Sequence, residues 1–304
     1  MSKIKPKQII LHCGLHKTGS TYLQENLKSN YSVLLDQGIM YLGPNTIKKQ
    51  CKELWRYLQC GKNSQEPRQE LCKQTLNILI QHARKKPYNI HTILISFEAI
   101  FGTLRAGLVK INARRIYNNE NQLGLYRYSK RRVKRLMNGL EFTLSTKDIH
   151  WVILFATRQH DEFVRSCYIQ LIKEGYEIPS ITIEQFKQIS NFSYADPNEL
   201  TKNLNPLKEL RKVDIRSFSY DDNINKSHPS TYLNNFIKLA LPNHAEAIQS
   251  ILRNQRRFAN LNRNINPSLN NRGLEIATQA RPIFTKYEWK LFRKFLEKNF
   301  SNNN

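Results

Sequence analysis

Gln8-Ile9-Ile10-Leu11-His12-Cys13-Gly14-Leu15-His16-Lys17-Thr18-Gly19-Ser20-Thr21-Tyr22-Leu23-Gln24 changes character twice. Gln8–His12 is a short apolar run rich in β-branched residues. Gly14 to Thr21 is dense in glycine and hydroxyls, and from Ser20 to Leu35 apolar positions recur at helical spacing. The reading is strand, loop, helix. In such a turn, successive backbone N–H groups and the positive end of the helix converge on one point, where hydroxyls and a lysine join them. That is a cradle for an anion. It differs from a Walker A loop, in which the lysine follows the second glycine. Here Lys17 precedes Thr18-Gly19-Ser20-Thr21, so it approaches a bound phosphate from another side, and no Walker-B-like metal partner is evident.

The same rhythm continues along the chain. Ile39–Leu42 follows the Gly38 breaker as a second strand, Leu71–Arg84 has one apolar helical face, and Ile90–Ser96 and Trp151–Thr157 are further strands. Asp161–Lys173 is helical and Val213–Ser219 is a fifth strand. Strands alternating with helices predict an α/β fold whose parallel sheet is covered on both faces. From about 231 the chain becomes mainly helical, ending in Tyr287–Phe300. A single domain over 1–304 is expected, with a basic insertion at about 102–145. Ser190–Asn205, polar and carrying Pro197, reads as a loop.

The chain has 304 residues, with 48 Lys+Arg against 24 Asp+Glu, a formal charge of +24. With 40% apolar and 10% aromatic residues it can bury a core, which excludes a disordered basic tail. The charge favours anionic partners: nucleic acid, a phosphorylated nucleotide, an acidic glycan or an acidic membrane face. Arg105–Arg135 concentrates ten Lys/Arg against Glu120 alone, interleaved with Tyr117, Tyr126 and Tyr128. It is a binding surface or a solvated helical face. The N-terminal apolar stretch is broken at His12 and no small-residue cleavage site follows, and no run is long enough to span a membrane. Cys13, Cys51, Cys60, Cys72 and Cys167 form no C-x-x-C pair, which argues against a disulfide framework and a zinc site. A soluble, cytoplasmic protein is expected.

A second element follows the strand at Trp151–Thr157. In Thr157-Arg158-Gln159-His160-Asp161-Glu162-Phe163-Val164-Arg165-Ser166-Cys167-Tyr168, an arginine sits at the strand end and a serine about two helical turns later. Guanidinium and hydroxyl can then share one phosphate, the arginine offering a planar donor fork.

Together the two elements resemble the PAPS-dependent sulfotransferases of bacterial type, whose donor is 3′-phosphoadenosine-5′-phosphosulfate (PAPS). H-x-G-x-x-K-T-G-[ST]-T-x-L-Q looks like that family's 5′-phosphosulfate loop, and Arg158 with Ser166 is similar to its 3′-phosphate motif. The likeness spans roughly residues 8–240. Ser217-Phe218-Ser219-Tyr220-Asp221 and Asn266-Pro267-Ser268-Leu269 are weaker echoes. The resemblance implies a P-loop-kinase-like central parallel sheet flanked by helices. It implies sulfuryl transfer to a hydroxyl, or an amine, of a carbohydrate, glycolipid or other small molecule.

Lys17 would stabilise the leaving oxygen. Thr18, Gly19, Ser20 and Thr21 would hold the 5′-phosphate, Tyr22 would lie beside the adenine, and Arg158 and Ser166 would take the 3′-phosphate. No metal is expected. The acceptor base is Glu98, after the third strand, or His16 inside the loop. The R-K-G-x-x-G-D-W block of the steroid and phenol enzymes is missing, and the place of their histidine base reads Ser96-Phe97-Glu98. An anionic or carbohydrate acceptor and peripheral contact with an acidic membrane are the expected partners, without nucleic acid. An ATP-dependent P-loop-like phosphotransferase and a basic nucleic-acid-binding protein are the competing readings.

Overall fold

The computed structural model describes residues 6–55, 74, 89–104, 108, 124–175, 182–223, 230–246, 248–249 and 269–301. Five strands, β1 (Gln8–His12), β2 (Ile39–Leu42), β3 (Thr92–Ser96), β4 (His150–Thr157) and β5 (Val213–Ser219), form one sheet in the order β2-β3-β1-β4-β5. All four pairings are parallel. β1 is central, with His12 opposite both Ser96 of β3 and Leu154 of β4.

Alternate residues of the inner strands feed two cores, as a period of two requires. Ile9, Leu11, Ile93, Ile95, Trp151 and Ile153 pack on one face, and Ile10, Leu94, Val152 and Leu154 on the other. The second face is covered by α1 (Ser20–Ser29), α2 (Tyr31–Asp36) and α9 (Ser230–Ala240), through Leu23, Leu27, Leu34, Phe236 and Ile237. The first is covered by α4 (Ser129–Leu144), α5 (His160–Lys173), α6 (Ile183–Ile189) and α7 (Pro197–Leu204), with α10 (Asn271–Ala280) and α11 (Lys286–Asn299) packed outside α5. The short helices α3 (Pro44–Gln50) and α8 (Tyr220–Asn223) are also among the described residues. Full burial of an Ile or Leu side chain contributes about 1.5–3 kcal/mol, so the inner strands are the main source of stability.

Three expectations are corrected. The helix foreseen over Ser20–Leu35 is broken at Asn30, whose amide side chain donates to the Asn26 carbonyl at 2.8 Å and closes α1. Ser190–Asn205 is not a loop: it holds a 3₁₀ turn, Ser193–Ala195, and then α7. Pro197 is a helix starter there. It occupies the first turn, where its missing N–H costs nothing, and Asp196 caps the Asn198 and Glu199 amides at 2.9 and 3.1 Å.

The basic segment is neither all surface nor all solvated. Arg132 on α4 is buried and donates to the carbonyls of Ala99 (2.9 Å) and Ile100 (3.1 Å), while Tyr126 is buried in the core. Arg105, Lys110, Arg114 and Arg115 lie outside the described residues, as do Asn266–Ser268 and, save Gln74, the helix foreseen over Leu71–Arg84. Cys13, Cys51 and Cys167 are buried free thiols.

Candidate active site

The carboxyl end of β1 is where the connections diverge. The chain leaves β1 toward β2 and β3 on one side and is later taken up by β4 and β5 on the other. In open parallel sheets a crevice forms at such a point. The loop is pinned as it leaves the sheet: Cys13 N donates to Leu154 O at 2.9 Å, and Phe97 N to His12 O at 3.0 Å. His12 is fully buried, bonded through Nδ1 to Ser96 Oγ at 2.8 Å and edge-on to Phe236. Burial lowers its pKa to about 3, so it is a neutral structural group.

The turn depends on two glycines. A Cβ on Gly14 would overlap Ser20 Oγ and stand 3.5 Å from Glu98 Cγ. Gly19 has φ 73°, and a Cβ there would lie 2.7 Å from Tyr220 Cε2 and 3.1 Å from Tyr232 Cε1. Lys17 is itself left-handed at φ 64°, a conformation costing a non-glycine residue on the order of 1–2 kcal/mol. Such strain persists only where the surroundings hold it. Here Thr18 Oγ1 donates to Leu15 O at 2.7 Å, Tyr232 Oη donates to Thr18 O, and Arg158 Nη1 donates to Lys17 O at 3.1 Å. The Thr18 hydroxyl therefore serves the loop, which leaves its backbone N–H as its means of reaching a ligand. Gly19 is the N-cap of α1 and offers no side chain to cap it. The first-turn N–H groups and the positive end of the helix thus have no capping side chain.

Lys17 is half-buried, its Nζ 3.5 Å from Gln170 Oε1 of α5. Among the described residues no carboxylate lies within ion-pair distance of it. Burial, then Lys173, and then Arg158 lower its pKa, with Glu98 opposing them. Ser20 is buried beside Glu98 without closing a well-formed hydrogen bond. Burial raises Glu98 to about 7, against the Ser20 hydroxyl and Lys17, while Glu174 adds to the rise. Glu98 is therefore a carboxylate that exchanges its proton near neutrality.

His16 is held differently. Its backbone N–H donates to Tyr126 Oη at 2.9 Å, and its Nδ1 lies 2.7 Å from the same oxygen. Since the oxygen accepts from the amide, its own proton is assigned to Nδ1, leaving Nε2 protonated. Burial, and then Lys17, lower the His16 pKa to about 4. Tyr126 is also left-handed, at φ 66°.

Arg158 and Ser166 meet as their spacing foresees: Nη1 donates to Ser166 Oγ at 2.8 Å, and Ser166 Oγ donates to the Glu162 carbonyl. The guanidinium also has Glu162 at 3.5 Å, Asp221 at 3.6 Å and the Tyr220 ring 5.3 Å from its carbon. Asp221 Oδ2 accepts the Gln159 amide at 2.6 Å, fixing the turn from β4 into α5. Through the Lys17 carbonyl, Arg158 binds the two motifs to each other.

The structure thus brings Lys17, Gly19, Ser20, Glu98, Arg158 and Ser166 into one region at the carboxyl ends of β1, β3 and β4. Thr21 and Tyr22 lie half-buried on the first turn of α1, the Tyr22 ring 6.4 Å from Tyr232. Sequence reasoning gave no site role to Gln170, Tyr220, Asp221, Tyr126 or Tyr232. The position of Tyr220-Asp221 just after β5 was a usable signal, because residues following parallel strands face the crevice. Tyr126 and Tyr232 carry no local signal.

Two cavities among the described residues lie elsewhere. One of about 460 Å³ sits at the amino ends of β1, β3 and β4 beside His91, His150 and His244, and one of about 420 Å³ beside His160, Lys187 and Phe192. Polar convergence, not a large void, defines the site. Among the described residues no group of His, Cys, Asp and Glu could hold a metal ion. The chain matches no family model, and no curated protein matches it.

Proposed function

We propose that this chain is a PAPS-dependent sulfotransferase with a P-loop-like sheet, transferring a sulfuryl group to a hydroxyl of a carbohydrate, glycolipid or other small acceptor. The observation that carries the reading is the direct link between the two anion-binding elements: Arg158 joins Ser166 to the backbone of Lys17, in a loop that ends in an uncapped helix. The nucleotide of PAPS has a 5′-phosphosulfate and a 3′-phosphate, so its recognition needs two cationic anchors that keep a fixed separation. The sheet order, with β1 between β3 and β4, supports the P-loop-like assignment by putting the loop at the centre.

The residues fit such a ligand. Lys17 is a half-buried cation without a carboxylate partner among the described residues, and the amides from Lys17 to Thr21 stand at a helix start. When bound, PAPS supplies the sulfuryl group. Lys17 then meets the negative charge that develops on the oxygen leaving sulfur, and the loop N–H groups share that charge. Glu98 accepts the proton of the acceptor hydroxyl as its oxygen bonds to sulfur. Its pKa near 7 suits a general base, whereas His16 has its Nδ1 engaged by Tyr126 and a pKa about 4.

A thermal-shift series tests the class. A saturating 3′-phosphoadenosine-5′-phosphate, at one hundred times its Kd, stabilises by about 2.7 kcal/mol, which is several degrees for a domain of this size. ATP with Mg²⁺ is expected to give far less. Stabilisation by ATP and none by the 3′-phosphorylated nucleotide would favour a phosphotransferase and overturn the proposal.

A further inference from the structure

α11 has two sharply different faces. Its inner face is fixed: Trp289 and Leu296 are buried, Trp289 Nε1 donates to Lys173 O at 3.1 Å, and Glu297 pairs with Lys173 at 2.8 Å. The turn before it is fixed too, by Arg281 donating to Gly175 O at 2.6 Å and Phe284 O at 3.0 Å. Its outer face gathers exposed apolar groups, which elsewhere among the described residues stand singly, as Phe142 and Leu210. Tyr287, Leu291 and Phe295, each four residues from the next, are 72%, 52% and 52% exposed. Ile283, four residues earlier, is 79% exposed. Residues four apart fall on one helix face, so Tyr287, Leu291 and Phe295 make a continuous stripe, and Ile283 extends the exposed apolar surface from the turn that precedes the helix.

The same face is basic. Lys286, Lys290, Lys294 and Lys298 repeat at the same spacing, the first three each one residue before a member of the stripe, and all are exposed. On a helical wheel Lys298 falls within the arc from Tyr287 to Phe295, Lys294 borders it and Lys290 lies farther round. Long lysine stems can lie along an apolar surface while their ammonium groups reach outward to negative charge.

We propose that the outer face of α11 docks on an anionic lipid bilayer, with Ile283, Tyr287, Leu291 and Phe295 entering the interface and the lysines contacting acidic headgroups. An amphipathic helix with aromatic and aliphatic residues on one face and lysines around them lies in the plane of a membrane surface. Among the described residues no helix is long and apolar enough to cross a membrane, so the contact is peripheral. Charge complementarity selects this occupant. A second copy would bring four lysines against four lysines in a chain of net charge +24, which opposes a symmetric contact. Single-stranded nucleic acid would stack on aromatic rings, but Ile283 and Leu291 have no ring to offer. The inference stands apart from the sulfotransferase reading: nucleotide binding and vesicle binding are separate measurements, and each can fail alone.

Flotation of the full chain with phosphatidylcholine vesicles, with and without about one-third phosphatidylserine, tests it. Binding to the anionic vesicles is expected, with little to the neutral ones and a marked loss in high salt. Leu291→Ser with Phe295→Ser should cut the bound fraction at least tenfold, and Lys290→Gln with Lys294→Gln should lower affinity by about fivefold per lysine. The lysine pair is exposed and should leave the melting temperature unchanged; Phe295 lies 5.9 Å from the Phe292 ring and 6.1 Å from the Phe300 ring, so the Leu291/Phe295 variant is compared at a temperature below its own measured melting point. Unaltered binding by the Leu291/Phe295 variant would mean adsorption by net charge and would overturn the proposal. So would a wild-type dimer in sedimentation that this variant dissolves, or loss of oligonucleotide binding with vesicle binding retained.

Discussion

Lys17, in the loop after β1, and Lys173, at the end of α5, are both drawn away from water, and the protein answers them in opposite ways. Lys173 is almost wholly enclosed, yet Glu297 stands 2.8 Å away, and the same carboxylate takes Arg293 at 3.0 Å. Lys17 has an amide oxygen at 3.5 Å and no carboxylate at ion-pair distance among the described residues. Glu98, the acid nearest in influence, is itself pushed toward its protonated form. A cation removed from water costs several kcal/mol unless an anion compensates it. The Lys173 charge is compensated inside the fold, where it ties α11 to α5. The Lys17 charge has no such carboxylate at a helix start, and under the proposed function its counter-ion is the nucleotide.

The largest effect should come from the open lysine. Lys17→Met is expected to reduce sulfuryl transfer about 10²- to 10³-fold, the scale for losing one group that stabilises developing charge. Its stability should not fall, since burial already disfavours the ammonium there. Turnover with labelled PAPS and a urea titration of the same preparation check both halves. A variant that keeps its activity, or that unfolds more readily than the wild type, breaks the contrast.

Glu297→Gln attacks the other side. It removes the carboxylate 2.8 Å from a buried ammonium, and a loss of about 3 kcal/mol in urea is expected, toward the low end for a buried pair because Glu297 is partly exposed. Adding Lys173→Met should restore much of the loss. The pH dependence has a definite sign. Burial raises the Glu297 pKa, but Lys173 and then Arg293 outweigh it and hold it below the ordinary 4.5. The stabilisation is therefore present above about 4.5 and lost as pH falls through the folded value. Glu297→Gln should lack that acid-side loss, and its turnover should change less than that of Lys17→Met.

How much of this contrast is legible in the sequence depends on the range of the interaction. β1, the loop and α1 are adjacent in the chain, so periodicity and glycine placement reveal them. Arg158 stands at the end of β4 and Ser166 eight residues on, about two helical turns away, so their meeting is foreseeable from spacing. The pairing of Lys173 with Glu297 joins residues far apart in sequence, and nothing local to either marks it. Tyr126 and Arg132 mislead for the same reason: within a run of basic residues they look like surface, yet each is buried by partners from other segments. Pro197 misleads locally. The same residue breaks a helix from inside and starts one from its first turn, and only the preceding Asp196 separates the two cases.

Glu98 tests the contrast most finely, because it is the carboxylate that does not neutralise Lys17. Its folded pKa of about 7 lies above the ordinary 4.5. Its contribution to stability is therefore fully present below about 4.5 and is lost as pH rises through about 7. Glu98→Gln removes that loss. It should match the wild type near pH 4 and exceed it by about 1 kcal/mol at pH 8, less than the full shift implies because the new amide also needs partners. Turnover should move the other way: the wild type gains activity as pH rises through about 7, and Glu98→Gln loses that limb. With His16 as base the limb would sit near its own pKa of about 4 and survive the change. Lys17 lowers the Glu98 pKa, so Lys17→Met should displace the residual limb toward higher pH. A limb that stays in place would mean the two groups do not sense each other, and Lys17 would then be answered by neither ligand nor carboxylate.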